Sequence, residues 1–490
     1  MRDDELRRIL TDANPWWRSA VTGADPLAWI TSHRLLRDRA RYDLGYRPAV
    51  LQDIATEPVS DLLVVLAGPR RVGKSVTLID TVAALCARTD VDTRQIIHVP
   101  CDGMRERDLR RVLTLGRELT RSVDLHDDVR RVWFLDEIST IPGWTAVLKA
   151  ARDGTNFGDD TIVATGSRWL ATEDLTGSLL TGRAGSAPGR RVRQLLPMTF
   201  RDYLAATRPQ LLRIAAQHPA FLQAAQVRTR LEEVRFDIDA YDLAWQDYLT
   251  CGGFPRAVAE HSNLGGVSDV YMHDLLAWLR RDVDIDAPAE SVPLLLHELA
   301  QRATSPLNAT RTAQTLGYAT RQAFDRRLTR LASTFAALPC PQRGPDGALV
   351  PGSQAKLYFT DPIIAWLPST LRAGVPGPDM SALTEMVLGV SLARAIDDLE
   401  EGRWLSGDTI GYLRTPAGTE VDLAPVAVPT SAGSATTTAM ESKWVDARWR
   451  SEARTIEGRY AGGILATKSL LDLEHPAWAV PAPLLALMFG

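Results

Sequence analysis

The feature that most constrains the fold of this 490-residue chain is the segment from Gly68 to Ser75, which reads Gly-Pro-Arg-Arg-Val-Gly-Lys-Ser. It stands between a continuous apolar run, Leu62 to Ala67, and apolar residues at helical spacing from Val76 to Ala87. A buried strand, a glycine-rich turn and a helix in this order fit the P-loop pattern GxxxxGK[ST], in which backbone N–H groups face phosphate groups. The alternative is an ordinary glycine turn capped by a serine, but the flanking strand and helix favour the P-loop.

This pattern assigns roles to individual residues. Lys74 is expected to reach the β and γ phosphates of ATP, and the hydroxyl of Ser75 is expected to bind Mg²⁺. The cofactors predicted from the sequence are therefore ATP and Mg²⁺. The predicted ATP contacts are Gly68, Pro69, Arg70, Arg71, Val72, Gly73, Lys74, Ser75 and Val76.

An acidic pair, Asp136 and Glu137, follows the apolar run from Val132 to Leu135. This is the Walker B pattern, in which Asp136 would bind Mg²⁺ or its water and Glu137 would polarise the attacking water as catalytic base. An acidic pair after a strand is otherwise often a helix N-terminal cap. The P-loop earlier in the chain favours the catalytic interpretation.

A third polar group follows the strand predicted from Thr161 to Thr165, which ends in Thr165-Gly166-Ser167. We expect Thr165 or Ser167 to contact the attacking water or the γ phosphate from between the two Walker strands, and we assign Ser167 as the catalytic residue. The alternative is a turn that only ends the strand. Arginines that could supply charge to the transition state, in cis or from a neighbouring subunit, are Arg168, Arg183, Arg190 and Arg191.

The chain of 490 residues exceeds the size at which one hydrophobic core stops growing, so its length predicts several domains. Short apolar strands that alternate with helices predict a parallel sheet buried on both faces, and hence an α/β core. The predicted order is a helical N-terminal segment at 1–60, the α/β core at 61–195, a helical lid at 196–288, a helix-turn-helix at 289–345 and a domain of helices and hairpins at 346–490. Within the last domain, residues 429–438 are expected to form a polar loop with nothing to bury.

Composition excludes several classes of protein. A net charge of −4 argues against a protein that coats a polyanion, although a local basic face leaves DNA open as a partner. The four cysteines lack metal-ligand and disulfide spacing, which indicates a reducing cytoplasm, and no segment has the roughly 20 apolar residues of a membrane span. Since arginine so outnumbers lysine, each lysine is a candidate for a task that needs a compact ammonium. The lysines are Lys74, Lys149, Lys356, Lys443 and Lys468.

The segments GPRRVGKS, WFLDEIS, TGS, LLPMTFRDYL, CGGFPRAV, KLYFTD, TEVDL and ESKW occur in this order. Together they resemble a family of bacterial and archaeal AAA-type ATPases that carry a C-terminal domain of unknown function with a restriction-endonuclease-like core. The resemblance covers residues 60–490 and implies an AAA-type core, a helical lid, a winged helix and a nuclease-like α/β domain. On the second helix of the predicted helix-turn-helix, basic residues either contact DNA or form a solvated face of a structural winged helix. These residues are Arg321, Arg326, Arg327 and Arg330.

Acidic residues in the last domain resemble the PD-(D/E)xK nuclease pattern. Asp422 and Glu441 are expected to converge as carboxylate ligands of Mg²⁺, with Lys443 placed to orient an attacking hydroxide. Glu385 matches the additional helix acid of that fold. Two features depart from the pattern: no proline precedes Asp422, and Ser442 takes the buried side of its strand.

Three functions follow as hypotheses. The first is an ATP hydrolase that acts as a nucleotide-controlled switch or motor and is coupled to a C-terminal nuclease acting on DNA. The second is an ATP-gated regulator that binds DNA or a protein partner through an inactive nuclease-like fold. The third is a scaffold that binds ATP without turnover. A homo-oligomer is compatible with each of them, and a membrane is not expected as a partner.

Overall fold

The computed structural model describes residues 1–57, 60–121, 129–154, 156–168, 189–284, 288, 290–415, 418–447 and 449–490. Contacts divide the chain into two compact units. Unit 1 comprises residues 1–43 and 47–196, and unit 2 comprises residues 44–46 and 197–490. No helix among the described residues combines the length and the apolar character that crossing a bilayer requires.

Unit 1 alternates strands and helices after a helical start. Its elements are α1 (Asp3–Ala13), α2 (Trp16–Thr22), α3 (Arg34–Ala40), α4 (Gln52–Thr56), β1 (Leu62–Ala67), α5 (Lys74–Cys86), β2 (Ile96–Pro100), α6 (Glu106–Leu119), β3 (Val132–Asp136), α7 (Trp144–Gly154), β4 (Thr161–Gly166) and β5 (Val192–Gln194).

The five strands of unit 1 form one parallel sheet in the order β2-β3-β4-β1-β5. Strands β1, β3 and β4 are buried along nearly their whole length, because helices cover both faces of the sheet. The predicted parallel α/β core is confirmed, and four strands lie on apolar runs of the sequence, with β2 on the run Ile96 to Val99. Strand β5 was not predicted, since its three residues include Arg193 and Gln194 and are too short for a periodic signal.

The N-terminal helices belong to unit 1 and complete the outer edge of its sheet. Strand β2 is an edge strand, and the side chain of Asn14 pairs with it as a neighbouring strand would. Asn14 Nδ2 donates to the carbonyl of His98 at 2.9 Å, and the amide of His98 donates to Asn14 Oδ1 at 2.7 Å. The indoles of Trp16 and Trp17 both donate to the carbonyl of Ile96 at 2.9 Å. These three side chains satisfy polar groups that an edge strand otherwise leaves open.

Unit 2 begins with helices and ends with short strands. Its helices are α8 (Phe200–Thr207), α9 (Ala225–Glu233), α10 (Ile238–Cys251), α11 (Pro255–Leu264), α12 (Asp269–Val283), α13 (Ser291–Gln301), α14 (Ala309–Thr315), α15 (Arg321–Ser333), α16 (Pro362–Leu371), α17 (Met380–Leu399), α18 (Arg403–Ser406), α19 (Trp449–Glu452), α20 (Arg454–Glu457) and α21 (Ala482–Phe489). Its strands are β6 (Ala337–Cys340), β7 (Gln342–Arg343), β8 (Lys356–Phe359), β9 (Tyr412–Arg414), β10 (Glu420–Val421), β11 (Ala427–Thr430), β12 (Gly433–Thr436), β13 (Met440–Ser442), β14 (Gly463–Thr467) and β15 (Ala477–Pro481).

Within unit 2, α14 and α15 form the helix pair at the predicted helix-turn-helix. Gly317 between them has φ +71°, a left-handed conformation that glycine adopts at little cost. After α15, strands β6 and β8 pair antiparallel. Three of the four arginines of α15 have partners inside unit 2: Arg321 forms an ion pair with Asp325 of the same helix at 3.3 Å, Arg327 forms one with Asp284, and Arg330 donates to the carbonyl of Val283 at 2.9 Å. These contacts favour a structural role for that part of the helix face.

The C-terminal part of unit 2 contains a parallel sheet β13-β14-β15 and a mixed sheet β10-β9-β7. The predicted polar loop at 429–438 is wrong, because residues 427–436 form the hairpin β11-β12. Backbone pairing forms this hairpin without an apolar signal in the sequence, and Val428 is its buried residue. Helix α17 packs on strand β8 and on helix α21.

Asp361 connects the segment that reads Gly-Gly-Phe-Pro to the start of α16. Its carboxylate accepts hydrogen bonds from the amides of Gly253 at 2.7 Å and Ile363 at 2.9 Å. A Cβ at Gly252 would lie 2.0 Å from Asp361 Oδ1, so a glycine is required there. Burial raises the pKa of Asp361 to about 7 despite both hydrogen bonds.

We expect Asn14→Ala to destabilise unit 1 by about 1–3 kcal/mol, because it leaves the buried amide and carbonyl of His98 without partners. Urea unfolding of the full chain, followed by hydrogen exchange of the β2 amides, measures the change. Asp12→Ala is the matched control, since Asp12 is exposed in the same segment. Equal stability of the two variants would contradict this account of the sheet edge.

The raised pKa of Asp361 predicts a pH dependence. Folding favours its protonated form, so its contribution to stability is complete at low pH and declines as the pH rises through the folded-state value of about 7. Between pH 6 and pH 8 we expect Asp361 alone to lower the free energy of unfolding by about 1.4 kcal/mol. Asp361→Asn is expected to remove that part of the pH dependence, whatever its absolute stability. Identical pH profiles for wild type and variant would show that Asp361 does not titrate in this range.

Candidate functional site

The turn from Gly68 to Ser75 leaves the end of β1 and enters α5. Gly68 is required by packing, because a Cβ there would lie 2.0 Å from the carbonyl oxygen of Leu195. Arg71 and Gly73 are left-handed, with φ of +68° and +105°. This backbone curls the turn over the N-terminus of α5, whose free amides and positive end attract anions. The predicted P-loop therefore has the strand, turn and helix that its chemistry needs.

Lys74 is buried at the first position of α5, and its ammonium turns back onto the loop. Nζ donates to the carbonyls of Gly68 at 2.9 Å and Pro69 at 2.8 Å, and it lies 3.8 Å from Glu137 Oε1. Phosphate oxygens would compete with those carbonyls for the ammonium. Lys74 thus stands between the P-loop and the acidic pair after β3, as the sequence predicted.

The acidic pair is held by a hydroxyl from the neighbouring strand. Thr165 Oγ1 donates to Asp136 Oδ1 at 2.8 Å and accepts from the amide of Glu137 at 2.9 Å. Glu137 has φ +55°, which is uncommon for a residue with a side chain and costs of order 1 kcal/mol or more. Such strain persists where the surrounding structure fixes it, and here Thr165 does so.

Several buried oxygens at this end of the sheet lack a hydrogen-bond partner within the described part of the chain. They are Glu137 Oε2, Ser139 Oγ and Ser167 Oγ. Ser167, the residue predicted to be catalytic, is buried just after the end of β4. Its hydroxyl makes no hydrogen bond to Asp136 or Glu137. Buried oxygens without partners are costly, so they fit a site that a ligand or water completes.

The residues present fit ATP and Mg²⁺. Mg²⁺ prefers oxygen ligands and commonly takes only one or two from the protein, the rest coming from phosphate and water. Ser75 on the first turn of α5 and Asp136 at the end of β3 supply a hydroxyl and a carboxylate of that kind. Among the described residues no group of three or more His, Cys, Asp or Glu side chains could hold a metal by itself.

Two further groups in unit 1 qualify the sequence interpretation. His98 on β2 is buried beside the acidic pair, and both ring nitrogens lack a partner among the described residues. Burial lowers the pKa of His98, while the charge of Asp136 opposes that shift. The sequence signal for His98 was the presence of a polar residue inside the otherwise apolar run Ile96 to Val99. Of the candidate arginines, Arg183 lies outside the described residues.

The C-terminal residues predicted to bind a metal do come near one another in unit 2. An antiparallel bridge between Leu423 and Met440 places Asp422 opposite Glu441, and both side chains are buried. Asp422 Oδ2 accepts from the amide of Ser442 at 3.0 Å, and Lys443 Nζ lies 3.2 Å from Glu441 Oε1. Burial raises the pKa of Glu441 to about 7, against the opposing charge of Lys443.

The centre of this cluster is a lysine that the sequence analysis did not assign to it. Lys356 on β8 is fully buried, and its Nζ lies 2.8 Å from Glu385 Oε1, 2.6 Å from Glu420 Oε1 and 3.0 Å from Asp422 Oδ1. Tyr358 donates to Glu385 Oε1 at 2.7 Å. The rarity of lysine in the chain was the one signal that pointed to Lys356.

This arrangement does not fit the metal that the nuclease pattern implies. Both oxygens of Asp422 are engaged, one by Lys356 and the other by the amide of Ser442. Glu385 Oε1 accepts from two donors, and Glu441 Oε1 faces Lys443. Among these oxygens Glu441 Oε2 is buried without a partner in the described structure, but the ammonium groups of Lys356 and Lys443 lie against the same carboxylates and would repel a divalent cation.

We expect Thr165→Val to lower the rate of ATP hydrolysis roughly 10- to 100-fold with little change in ATP binding. The variant keeps the shape of the side chain but loses the hydroxyl that holds Asp136 and Glu137, a hydrogen bond to a charged group. Thr165→Ser retains the hydroxyl and is the matched control. Steady-state phosphate release and nucleotide titration measure both quantities, and a Val variant as fast as the Ser variant would contradict the assigned role.

Comparisons with known proteins bear on unit 1. Residues 60–204 match the AAA domain family, whereas curated protein sequences give no match. Similar solved structures include a Walker-type ATPase of Pyrococcus abyssi, with 14% identity, coverage of 62% of this chain and 90% of that chain, and a TM-score of 0.38. The ORC1 protein of Aeropyrum pernix in complex with DNA has 13% identity, coverage of 76% and 95%, and a TM-score of 0.30. The match of residues 60–204 to the AAA domain agrees with the strand, turn and helix of the P-loop in unit 1.

Proposed function

We propose that this chain is a Mg²⁺-dependent ATPase whose nucleotide state controls unit 2. The observation that carries the proposal is the contact between Thr165 and the pair Asp136 and Glu137, with the Lys74 ammonium 3.8 Å from the same glutamate. Phosphate-binding, metal-binding and water-activating groups thus meet at one edge of the sheet. This is the set that phosphoryl transfer to water requires.

Each residue has a distinct role in the proposed reaction. With ATP bound, Lys74 would leave the loop carbonyls for the β and γ phosphates, and Ser75 and Asp136 would hold Mg²⁺, which would supply charge neutralisation at the phosphates. Glu137 orients the attacking water and accepts its proton. Thr165 keeps the carboxylate of Asp136 and the backbone of Glu137 in place.

For unit 2 we propose a role in recognition without cleavage. The elements of unit 2 are compatible with the helical lid, winged helix and nuclease-like fold implied by the sequence resemblance. These elements are its first helices, the pair α14 and α15 with the antiparallel strands β6 and β8, and the sheet β13-β14-β15. The ammonium of Lys356 among the carboxylates supports the non-cleaving alternative over the nuclease. The partner is DNA or a protein, and the cation contacts of Arg327 and Arg330 inside unit 2 leave a smaller basic face for DNA.

Phosphate release with Mg²⁺ and ATP tests the ATPase. We expect Lys74→Ala to lose ATP binding and hydrolysis together, whereas Glu137→Gln should retain binding and lose about 10²- to 10⁴-fold in rate. Lys149→Ala removes the same charge from α7 in the same unit and is the control. A Glu137→Gln variant as active as wild type would remove the assigned base, and wild type without turnover would leave only an ATP-binding scaffold.

Incubation with plasmid and linear DNA in Mg²⁺ or Mn²⁺ separates the two roles of unit 2. The recognition role predicts no cleavage by wild type. Cleavage that persists in Lys74→Ala but disappears in Lys443→Ala or Asp422→Ala would establish the nuclease instead.

A further inference from the structure

We propose that the ammonium of Lys356 is a built-in cation that takes the place of a divalent metal among the carboxylates of unit 2. The proposal deepens the proposed function and rests on it for the recognition role of that unit. It concerns the positive charge at the centre of the carboxylate cluster. Neither the family match nor the P-loop indicates whether a metal or a lysine supplies that charge.

The geometry satisfies the ammonium completely. An ammonium carries three N–H donors, and Lys356 Nζ has three carboxylate oxygens at 2.6, 2.8 and 3.0 Å. The aromatic ring of Tyr412 covers the same nitrogen at 5.5 Å from its centroid. Lys356 therefore donates hydrogen bonds to Glu385 and Asp422 and has a third carboxylate, that of Glu420, within ion-pair distance.

The same oxygens cannot serve a metal while the ammonium is present. A divalent cation would have to approach Glu385, Glu420 and Asp422 where Lys356 already lies, and two positive charges would share a dry site. The side chain of Lys356 is 0% exposed, so it has no direct path out into solvent. Glu420 is 24% exposed, so the charge and position of the ammonium, rather than burial of every carboxylate, oppose a metal here.

The ammonium also connects elements that are distant in sequence. Lys356 and Tyr358 come from β8, Glu385 from α17, and Glu420 and Asp422 from the segment of β10. A metal bound by Glu385 and Asp422, two acids of the nuclease-like pattern, would connect α17 with the segment of β10 in the same way. Lys356 thus supplies the structural part of a metal's role and leaves out the activation of water.

Lys443 is chemically different and gives a matched control. It forms its ion pair with Glu441 at 3.2 Å, also interacts with the charge of Asp422, and has a side chain that is 36% exposed. Removal of Lys443 therefore opens no three-carboxylate site, whereas removal of Lys356 does. In a metal-dependent nuclease Lys443 would be the essential lysine of the pair.

The test counts Mn²⁺ bound to the full chain by electron paramagnetic resonance, without nucleotide and in an Asp136→Asn background that weakens the metal site of unit 1. We expect no Mn²⁺ on the parent or on Lys443→Met. We expect Lys356→Met to bind about one Mn²⁺ per chain, and a further Asp422→Asn change to abolish that binding.

Two results overturn the proposal. One is Mn²⁺ bound by the parent and lost with Asp422→Asn, which decides the question even when Lys356→Met does not fold. The other is a folded Lys356→Met variant, judged by circular dichroism, that binds no Mn²⁺, because the ammonium would then not be what excludes the metal. Phosphate release by the otherwise wild-type chain is unaffected by either result, so failure of the ATPase assignment is seen separately.

Discussion

The parallel pairing of β3, β4 and β1 is the constraint on which the nucleotide site depends. The carboxyl ends of parallel strands lie at the same edge of a sheet. The P-loop after β1, the acidic pair after β3 and the hydroxyl at the end of β4 therefore lie close together once the strands pair. Strand β4 lies between the two Walker strands, and Thr165 therefore reaches Asp136 and Glu137 by hydrogen bonds of ordinary length. Site chemistry in unit 1 is a direct product of strand order.

In unit 2 the main constraint is the burial of several charged side chains in one place. Removing one partner from a buried ion pair leaves a charge without compensation, so such groups are expected to persist or change together. Around Lys356 the charges of three acids converge on one ammonium, and Glu441 with Lys443 forms a second pair next to it. In the proposed function, unit 2 recognises its partner through its surface, and the buried charge cluster supports that surface from inside.

Sequence reasoning found the parts of the structure that local patterns encode. The positions of β1 to β4 follow from apolar runs, and Lys74, Ser75, Asp136 and Glu137 follow from motifs whose residues are close in the chain. It missed what pairing alone creates, namely the short strand β5 and the hairpin β11-β12. It also missed Lys356, because its partners lie 29 to 66 residues away and no spacing rule connects them.

The choice between Thr165 and Ser167 could not be made from the sequence for a related reason. Both residues stand at the end of a strand, and only the three-dimensional direction of each side chain distinguishes them. Thr165 contacts the acidic pair, and the assignment of Ser167 as catalytic remains a prediction. Likewise, the metal expected between Asp422 and Glu441 depended on oxygens being available, which composition and spacing cannot reveal.

The contacts of Asn14, Trp16 and Trp17 with β2 have a consequence for where the AAA domain can be cut. A fragment that starts at residue 60, where the family match begins, would lack all three side chains and present β2 as an exposed edge. Such edges pair with other chains and promote aggregation. The smallest fragment of this domain that keeps the β2 edge covered therefore begins before α1, more than fifty residues ahead of the first strand.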